Sequence, residues 1–218
     1  MIDIIMTETT RKRGRPRLLD RNTGLDIAAQ LFWERGYEGT SVADLTHAMG
    51  ITPPSLYATF SKEELFRQAL DHHIAQQSER RAGLLQAKIP AHEALAAYLY
   101  DIAEGDTQPD KPRGCIVSTA VLQHSEENAS VARATAALRE GAIQILKARF
   151  NRAIHDGELP EQTDTDTLAR FYGAIIQGMS AQACDGACTE TLKAVVDVAL
   201  MAWPGKHRIG SRPSGLNK

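Results

Sequence analysis

An all-α fold is predicted by three features of the sequence. Alternating Val/Ile/Tyr runs are nearly absent, apolar residues recur at helical spacing along most of the chain, and Gly, Pro and capping residues interrupt that pattern at helical lengths. Residues 1–19 lack apolar periodicity and read as a flexible basic arm. The first helix spans 21–35, with Leu25, Ala28, Ala29 and Phe32 on one face and Gly36 as its stop. Thr40 or Ser41 opens the second, Ser41 and Asp44 approximate a capping box, and Val42, Leu45 and Met49 form the buried stripe. Gly50 supplies the turn, because a residue with φ > 0 there carries no Cβ penalty.

Thr52 caps a short third helix, whose first turn tolerates Pro53 and Pro54 because amide donors there lack intrahelical partners anyway. Leu56 and Phe60 face inward. Ser61 and Glu64 make a capping box for a fourth helix, which carries Leu65, Phe66, Ala69 and Leu70 toward Leu85. Further helices are expected over 91–104, 115–124, 128–156, 164–183 and 189–203, about nine in all, with a loop over 105–114 and a tail over 205–218 that reads as disordered.

The chain has 218 residues, room for one large helical domain or a small one fused to a larger, and 43% hydrophobic with 24% charged residues argues against disorder throughout. The net charge of −2 gives no global attraction to a polyanion, but Arg11, Lys12, Arg13, Arg15, Arg17 and Arg21 crowd together opposed only by Asp20. The short apolar stretch at the N-terminus precedes the basic run instead of following it, so no secretion signal is read, and no apolar run is long enough to span a membrane. Cys115, Cys184 and Cys188 are too few for a disulfide framework or a four-ligand zinc site, which points to a reducing cytoplasm and to no metal or cofactor. Catalysis is not expected: no Gly-rich phosphate loop, nucleophile elbow or metal-binding His-Glu pattern occurs, and His72 and His73, being adjacent, point to different helix faces.

A short helix, a Gly-containing turn and a second short helix, packed on a longer first helix, form a helix-turn-helix that lets one helix enter the major groove; the periodicity alone fits a plain three-helix bundle as well. The residues carry more. The runs Ala28-Ala29-Gln30-Leu31-Phe32, Gly36-Tyr37-Glu38-Gly39-Thr40-Ser41-Val42, Met49-Gly50-Ile51 and Ser55-Leu56-Tyr57-Ala58-Thr59-Phe60-Ser61-Lys62-Glu63-Glu64-Leu65 closely resemble the TetR/AcrR signature over roughly residues 20–70. One departure is that Phe60 and Glu63 stand one residue closer than is usual there.

The resemblance implies a DNA-binding transcriptional regulator. It places Thr40, Ser41 and Val42 at a helix start facing DNA, and Thr52, Pro53, Pro54, Ser55, Tyr57 and Thr59 on or beside the recognition helix. Hydroxyls and amides near Ser41, the Tyr57 hydroxyl and Lys62 suit phosphates, Ser55 and Thr59 suit base edges, and the prolines a thymine methyl. Otherwise Tyr57 is a half-buried spacer and Lys62 is merely solvated. In the arm, Arg13-Gly14-Arg15-Pro16-Arg17 resembles the core of an AT-hook fitting a narrow minor groove, or is a basic tail giving affinity without sequence preference.

By the same resemblance, residues 20–67 are the DNA-binding domain and 68–204 an effector-binding and dimerisation domain. A homodimer is expected through the last two long helices, where Phe171, Ile175 and Met179, with Gly173 and Gly178, suit either a partner or an internal core. Tyr98, Phe150, Phe171, Tyr172 and Gln177, with polar His124 and Arg139, are candidates for an effector pocket, each equally explicable as core or surface. Cys115 follows Arg113-Gly114 at an expected helix start, where thiolate is favoured, and resembles the cysteine of regulators that sense electrophiles or oxidants; otherwise it is a small buried hydrophobe. The expected action is repression at a palindromic operator in double-stranded DNA, with recognition helices roughly 34 Å apart, released by a small molecule or by cysteine modification.

Overall fold

A computed structural model describes residues 20–204, and among them every regular element is helical. Helix α1 (Arg21–Arg35) begins where Asp20 accepts the Thr23 amide and ends at Gly36, whose φ of 72° lets its amide close back on the Phe32 carbonyl. Helix α2 (Val42–Met49) has the complete reciprocal capping box of Ser41 and Asp44, and Gly50 turns the chain in the left-handed conformation. Helix α3 (Pro53–Tyr57) follows at once, and α4 (Lys62–Gln86) is long enough to leave the first three helices and run along the rest of the molecule. Only half of the expected box at its start forms. Ser61 Oγ accepts the Glu64 amide at 3.1 Å, while the Glu64 carboxylate accepts from Gln68 one turn ahead.

Helices α5 (Ala91–Gly105), α7 (Ala129–His155) and α8 (Thr165–Cys184) follow the periodicity closely, and α9 (Thr189–Leu200) begins where it is expected. The sixth departs from the periodicity. Instead of spanning 115–124, α6 covers Ile116–Thr119, because the Ala120 carbonyl accepts the Tyr37 amide at 3.0 Å and the chain beyond it is held by Glu38, which accepts from the Ser125 amide and from Asn128 Nδ2. Likewise α9 stops short of Trp203, which turns inward and is buried against His92 and Phe150.

Two apolar cores result. In the first, Phe32 meets Phe66 edge-on at 4.9 Å and Tyr37 meets the same ring at 5.0 Å, fastening α1 to α4, and Ile116, Ala120, Val121 and Val131 from the middle of the chain close that core. The second is built from α5, α7, α8 and α9 around Leu95, Leu99, Leu146, Phe150, Tyr172 and Met179. Burying each such side chain contributes roughly 1.5–3 kcal/mol, so both cores are substantial. The basic side chain of Arg149 is buried within the second, where it donates to the Ile89 carbonyl at 3.0 Å and faces Glu158 at 3.9 Å.

Gly114 shows how tightly the α6 approach is held. With φ of 76°, it lies where an added Cβ would stand 2.7 Å from both the Ser180 carbonyl oxygen and the Cys184 sulfur. Gly141, in α7, faces open space instead. Gly114→Ala should therefore destabilise by about 2 kcal/mol or more, and Gly141→Ala should stabilise by about 0.5–1 kcal/mol. Urea unfolding of the two variants checks the contrast.

Candidate DNA-binding surface and effector cavity

The α2–α3 unit presents polar groups outward over a buried support. Leu45, Met49 and Leu56 point inward, while Thr52, Pro53, Pro54, Ser55, Tyr57 and Thr59 are exposed; Tyr57 is 61% accessible, which removes the reading of it as a half-buried spacer. Thr52 and Ser55 share a hydroxyl contact of 2.9 Å, so Thr52 starts the helix without the side-chain cap expected of it. Thr40 is a correction. Its hydroxyl donates to the Gly36 carbonyl at 2.7 Å and it is fully buried, so it seals the end of α1 and presents nothing to DNA. At Ser41 the hydroxyl and amide are both engaged by Asp44, which leaves the Val42 and Ala43 amides as the uncapped donors of that helix start.

Lys62 is not merely solvated. Its ammonium lies 4.3 Å from the centroid of the Tyr37 ring, and burial lowers its pKa against the opposing pull of Glu38 and Glu127. Arg13, Arg15 and Arg17 lie outside the described residues.

Behind this unit, helices α4 to α8 line a cavity of about 370 Å³ that is open to solvent beside Ala137, Gly141 and Ile145 of α7. Tyr98 and Gln177 line it as expected, together with Arg139, Cys115, Ile102, Val117, Ile143 and Ile176. A more polar void of about 350 Å³, reaching Trp33 and His73, shares Arg81, Asp106 and Cys115 with it, so the two meet at that corner. The other sequence candidates lie elsewhere. Phe150 and Tyr172 are wholly buried in the second core, the Tyr172 hydroxyl donating to the Ala199 carbonyl at 3.3 Å. Phe171 borders a shallow depression with Pro160 and Ala202, and His124 is exposed beside its own loop carbonyl at Ser125.

At Cys115 the expected favouring of thiolate by the helix start does not hold. The four-residue helix it precedes has little dipole, and the Arg113 guanidinium is turned away onto the carbonyls of Ala183 and Ala187. Burial, with the nearby Asp106 carboxylate, pushes the Cys115 thiol up, which favours thiol over thiolate. Cys184 and Cys188 diverge, the first facing the Arg113 carbonyl and the second Thr191. Among the described residues no cluster of three or more His, Cys, Asp or Glu could hold a metal, and no helix is long and apolar enough to cross a membrane.

On α8 and α9 the expected dimer stripe divides. Met179 is buried internally, Ile175 packs partly buried against the second core and Gly173 permits close approach of Ile143 from α7, whereas Phe171 is exposed; outside that stripe Val198 and Met201 are exposed as well, at 68% and 77%.

Sequence reasoning passed over the contacts that join the two cores, since they pair distant residues: Trp33 Nε1 donates to the Arg113 carbonyl at 3.2 Å, and the Trp33 ring meets His73 edge-on at 4.8 Å. Burial, then Arg81 and Lys111, lowers the His73 pKa to about 4, so the ring is neutral at pH 7. As pH falls from 6.5 toward 4 the unfolded chain takes up a proton that native His73 does not, so this group's contribution to stability is lost through that window. At pH 5 the loss is at most about 2 kcal/mol, and His73→Gln should flatten the dependence of the urea midpoint on pH between 7 and 5.

Comparison with known proteins accords with this geometry. Residues 25–69 match the family described as bacterial regulatory proteins, tetR family, and residues 91–195 match the tetracyclin repressor-like C-terminal domain. The HTH-type transcriptional repressor ComR of Escherichia coli (strain K12) is 39% identical over 200 residues, covering 89% of this chain and 93% of ComR. The HTH-type transcriptional repressor KstR2 of Rhodococcus jostii (strain RHA1) is 39% identical over 174 residues, covering 75% of this chain and 77% of its own. A cysteine mutant of the TetR family transcriptional regulator CifR, solved in complex with 26 bp double-strand operator DNA, superposes with a TM-score of 0.84 at 45% identity, covering 88% of this chain and 100% of that one. The chain belongs to the TetR family, and it is a helix-turn-helix transcriptional regulator and not an enzyme.

Proposed function

We propose that this regulator represses transcription as a homodimer on a palindromic operator, and that a small molecule in the cavity behind the DNA-binding unit releases it. Residues 20–67 act as the DNA-binding unit and 68–204 as the effector-binding and dimerisation unit, working in the cytoplasm where the DNA is. One observation carries the reading: the segment that walls the cavity at Cys115, Val117 and Ser118 also holds the DNA-binding unit, through the Trp33 indole at the Arg113 carbonyl and the Tyr37 amide at the Ala120 carbonyl. A ligand that favours another position of this segment changes how α1 and α2 sit, and two recognition helices roughly 34 Å apart cannot then meet both half-sites together. The operator complex of the CifR mutant supports the DNA half of this reading. Modification of Cys115, which is partly exposed and lines both voids, is the alternative route to release.

In the complex Tyr57 and Lys62 contact phosphates, Ser41 and Val42 present the start of α2 to the backbone, and Pro53, Pro54, Ser55 and Thr59 meet base edges, Lys62 leaving the Tyr37 ring to do so. Arg13, Arg15 and Arg17 add minor-groove or counterion-release affinity. A footprint with purified protein on DNA flanking its own gene should show one discrete, two-fold symmetric protected site; diffuse protection alone would sink the specific-repressor reading. On that site Lys62→Ala should lower the log–log salt slope by about 0.9, and Tyr57→Phe should weaken binding by roughly threefold to tenfold on any sequence. An unaltered slope removes Lys62 from the contacts.

For the dimer, the exposed Phe171, Val198 and Met201 supply an apolar face on α8 and α9. Val198→Glu combined with Met201→Glu should convert dimer to monomer in analytical ultracentrifugation with the helical circular dichroism retained.

A further inference from the structure

We infer that the cavity takes an amphipathic anion, a molecule with an apolar body and a single carboxylate, whose carboxylate is held by Arg139 and Gln177. This rests on the reading of the cavity as the effector site and names the chemical class that fits it.

The polar groups of the lining fall into two sets. At one end Arg81 is matched within the chain by Asp101, toward which its Nε points at 3.3 Å, and Asp106 accepts from Ser180 Oγ at 2.5 Å with Arg81 as its cationic neighbour. Arg80 also pairs with Asp101, so two arginines stand against the two carboxylates at this end. Arg139 is not so matched. Its Nη1 donates to the Val117 carbonyl at 3.0 Å, but among the described residues it forms no ion pair, and the depression of its pKa has burial as its sole cause, with no carboxylate opposing it. Asp106 feels Arg81 and not Arg139.

Arg139 is half-buried at the wall of this void and brings a guanidinium with no counter-ion to it, and a bound anion there gains charge-assisted hydrogen bonds. The Gln177 amide, half-buried in the same wall and without a hydrogen-bond partner among the described residues, adds a donor. The remaining wall near them, Ile143, Leu146, Ile176, Val117 and Tyr98, is apolar or aromatic and has nothing to offer a second charge. A volume of about 370 Å³ accommodates roughly a dozen heavy atoms, on the scale at which about 150 Å³ holds benzene.

The test uses the full-length protein at pH 7 with probes of one body and different heads: phenylbutyrate, phenylbutanamide and phenylbutylamine, and nonanoate with nonanamide for a straight chain. Affinity is read by titration calorimetry and checked by the shift in Tm. At least one acid is expected to bind saturably and about tenfold or more tighter than its amide, with the amine weakest. Arg139→Gln should bring the acid to the affinity of the amide while the amide changes by less than about twofold, and Arg139→Lys should keep part of the preference. Equal affinity of acid and amide for the native protein, an acid preference that survives Arg139→Gln, or no saturable binding by any acid would each overturn the inference. Release of operator DNA is followed separately by mobility shift. An acid that binds through Arg139 yet leaves the DNA complex intact supports the anion class and overturns the effector reading.

Discussion

Residues 113–121 must satisfy neighbours on several sides at once, and the arrangement of the two cores depends on their doing so. The Arg113 carbonyl accepts from the Trp33 indole and the Cys184 thiol, and its guanidinium reaches the α8 end at the Ala183 carbonyl. Gly114 presses against Ser180, the Val117 carbonyl accepts from Arg139 on α7, and the Ala120 carbonyl accepts the Tyr37 amide, with Gly36 so close that an added Cβ would stand 3.1 Å away. A helix ties its carbonyls to its own amides. Here several carbonyls in nine residues bond to other elements, which is why α6 has room for only four residues.

The aromatic cluster of Phe32, Tyr37 and Phe66 carries that constraint to the helix-turn-helix. Tyr37 is bonded through its amide to the α6 segment, packed through its ring on α4, and covered by the Lys62 ammonium at the start of α4. Glu38 beside it is latched to Ser125 and Asn128 just ahead of α7, and those hydrogen bonds hold its carboxyl below the usual carboxylate range. The turn between α1 and α2 is thus clamped by the later chain, so the helix-turn-helix is oriented by residues far from it in sequence.

That division explains what could be read from sequence and what could not. Helix starts and stops are local chemistry: Ser41 with Asp44, Gly36, Gly50 and Asp164 act through neighbours three or four residues away, and the elements they bound come out nearly where periodicity puts them. The length of α6, the burial of the Cys115 thiol and the contact of Lys62 with Tyr37 depend on partners tens of residues away, to which a helical pattern is blind. Aromatic side chains make the same point for the cavity. Phe150, Tyr172 and Tyr98 are equally apolar in sequence, yet Tyr98 lines the void and the other two fill the core, because helix packing decides which stretch of an apolar stripe meets a gap. Thr40 is the exception among the misread positions. Its bond to the Gly36 carbonyl four residues back is local, and a threonine so placed after a helix stop is as well suited to closing that helix as to meeting DNA.

Two arginines of α7 sharpen the contrast between charges that serve the fold and charges that await something else. Ten residues apart, they lie on different helix faces. Arg149 holds the α4–α5 turn at the Ile89 carbonyl and faces the Glu158 carboxylate at 3.9 Å, although its Nε and Nη1 are buried without a hydrogen-bond partner among the described residues. Arg139 has only the Val117 carbonyl, a neutral acceptor in the one segment that also holds Trp33 and Tyr37. An anion arriving at Arg139 would compete for that guanidinium with Val117, and charge favours the anion. The Val117 bond lies in the middle of a stretch whose two ends hold Trp33 and Tyr37, so on the function proposed above an anion at Arg139 would act on the segment that positions the helix-turn-helix.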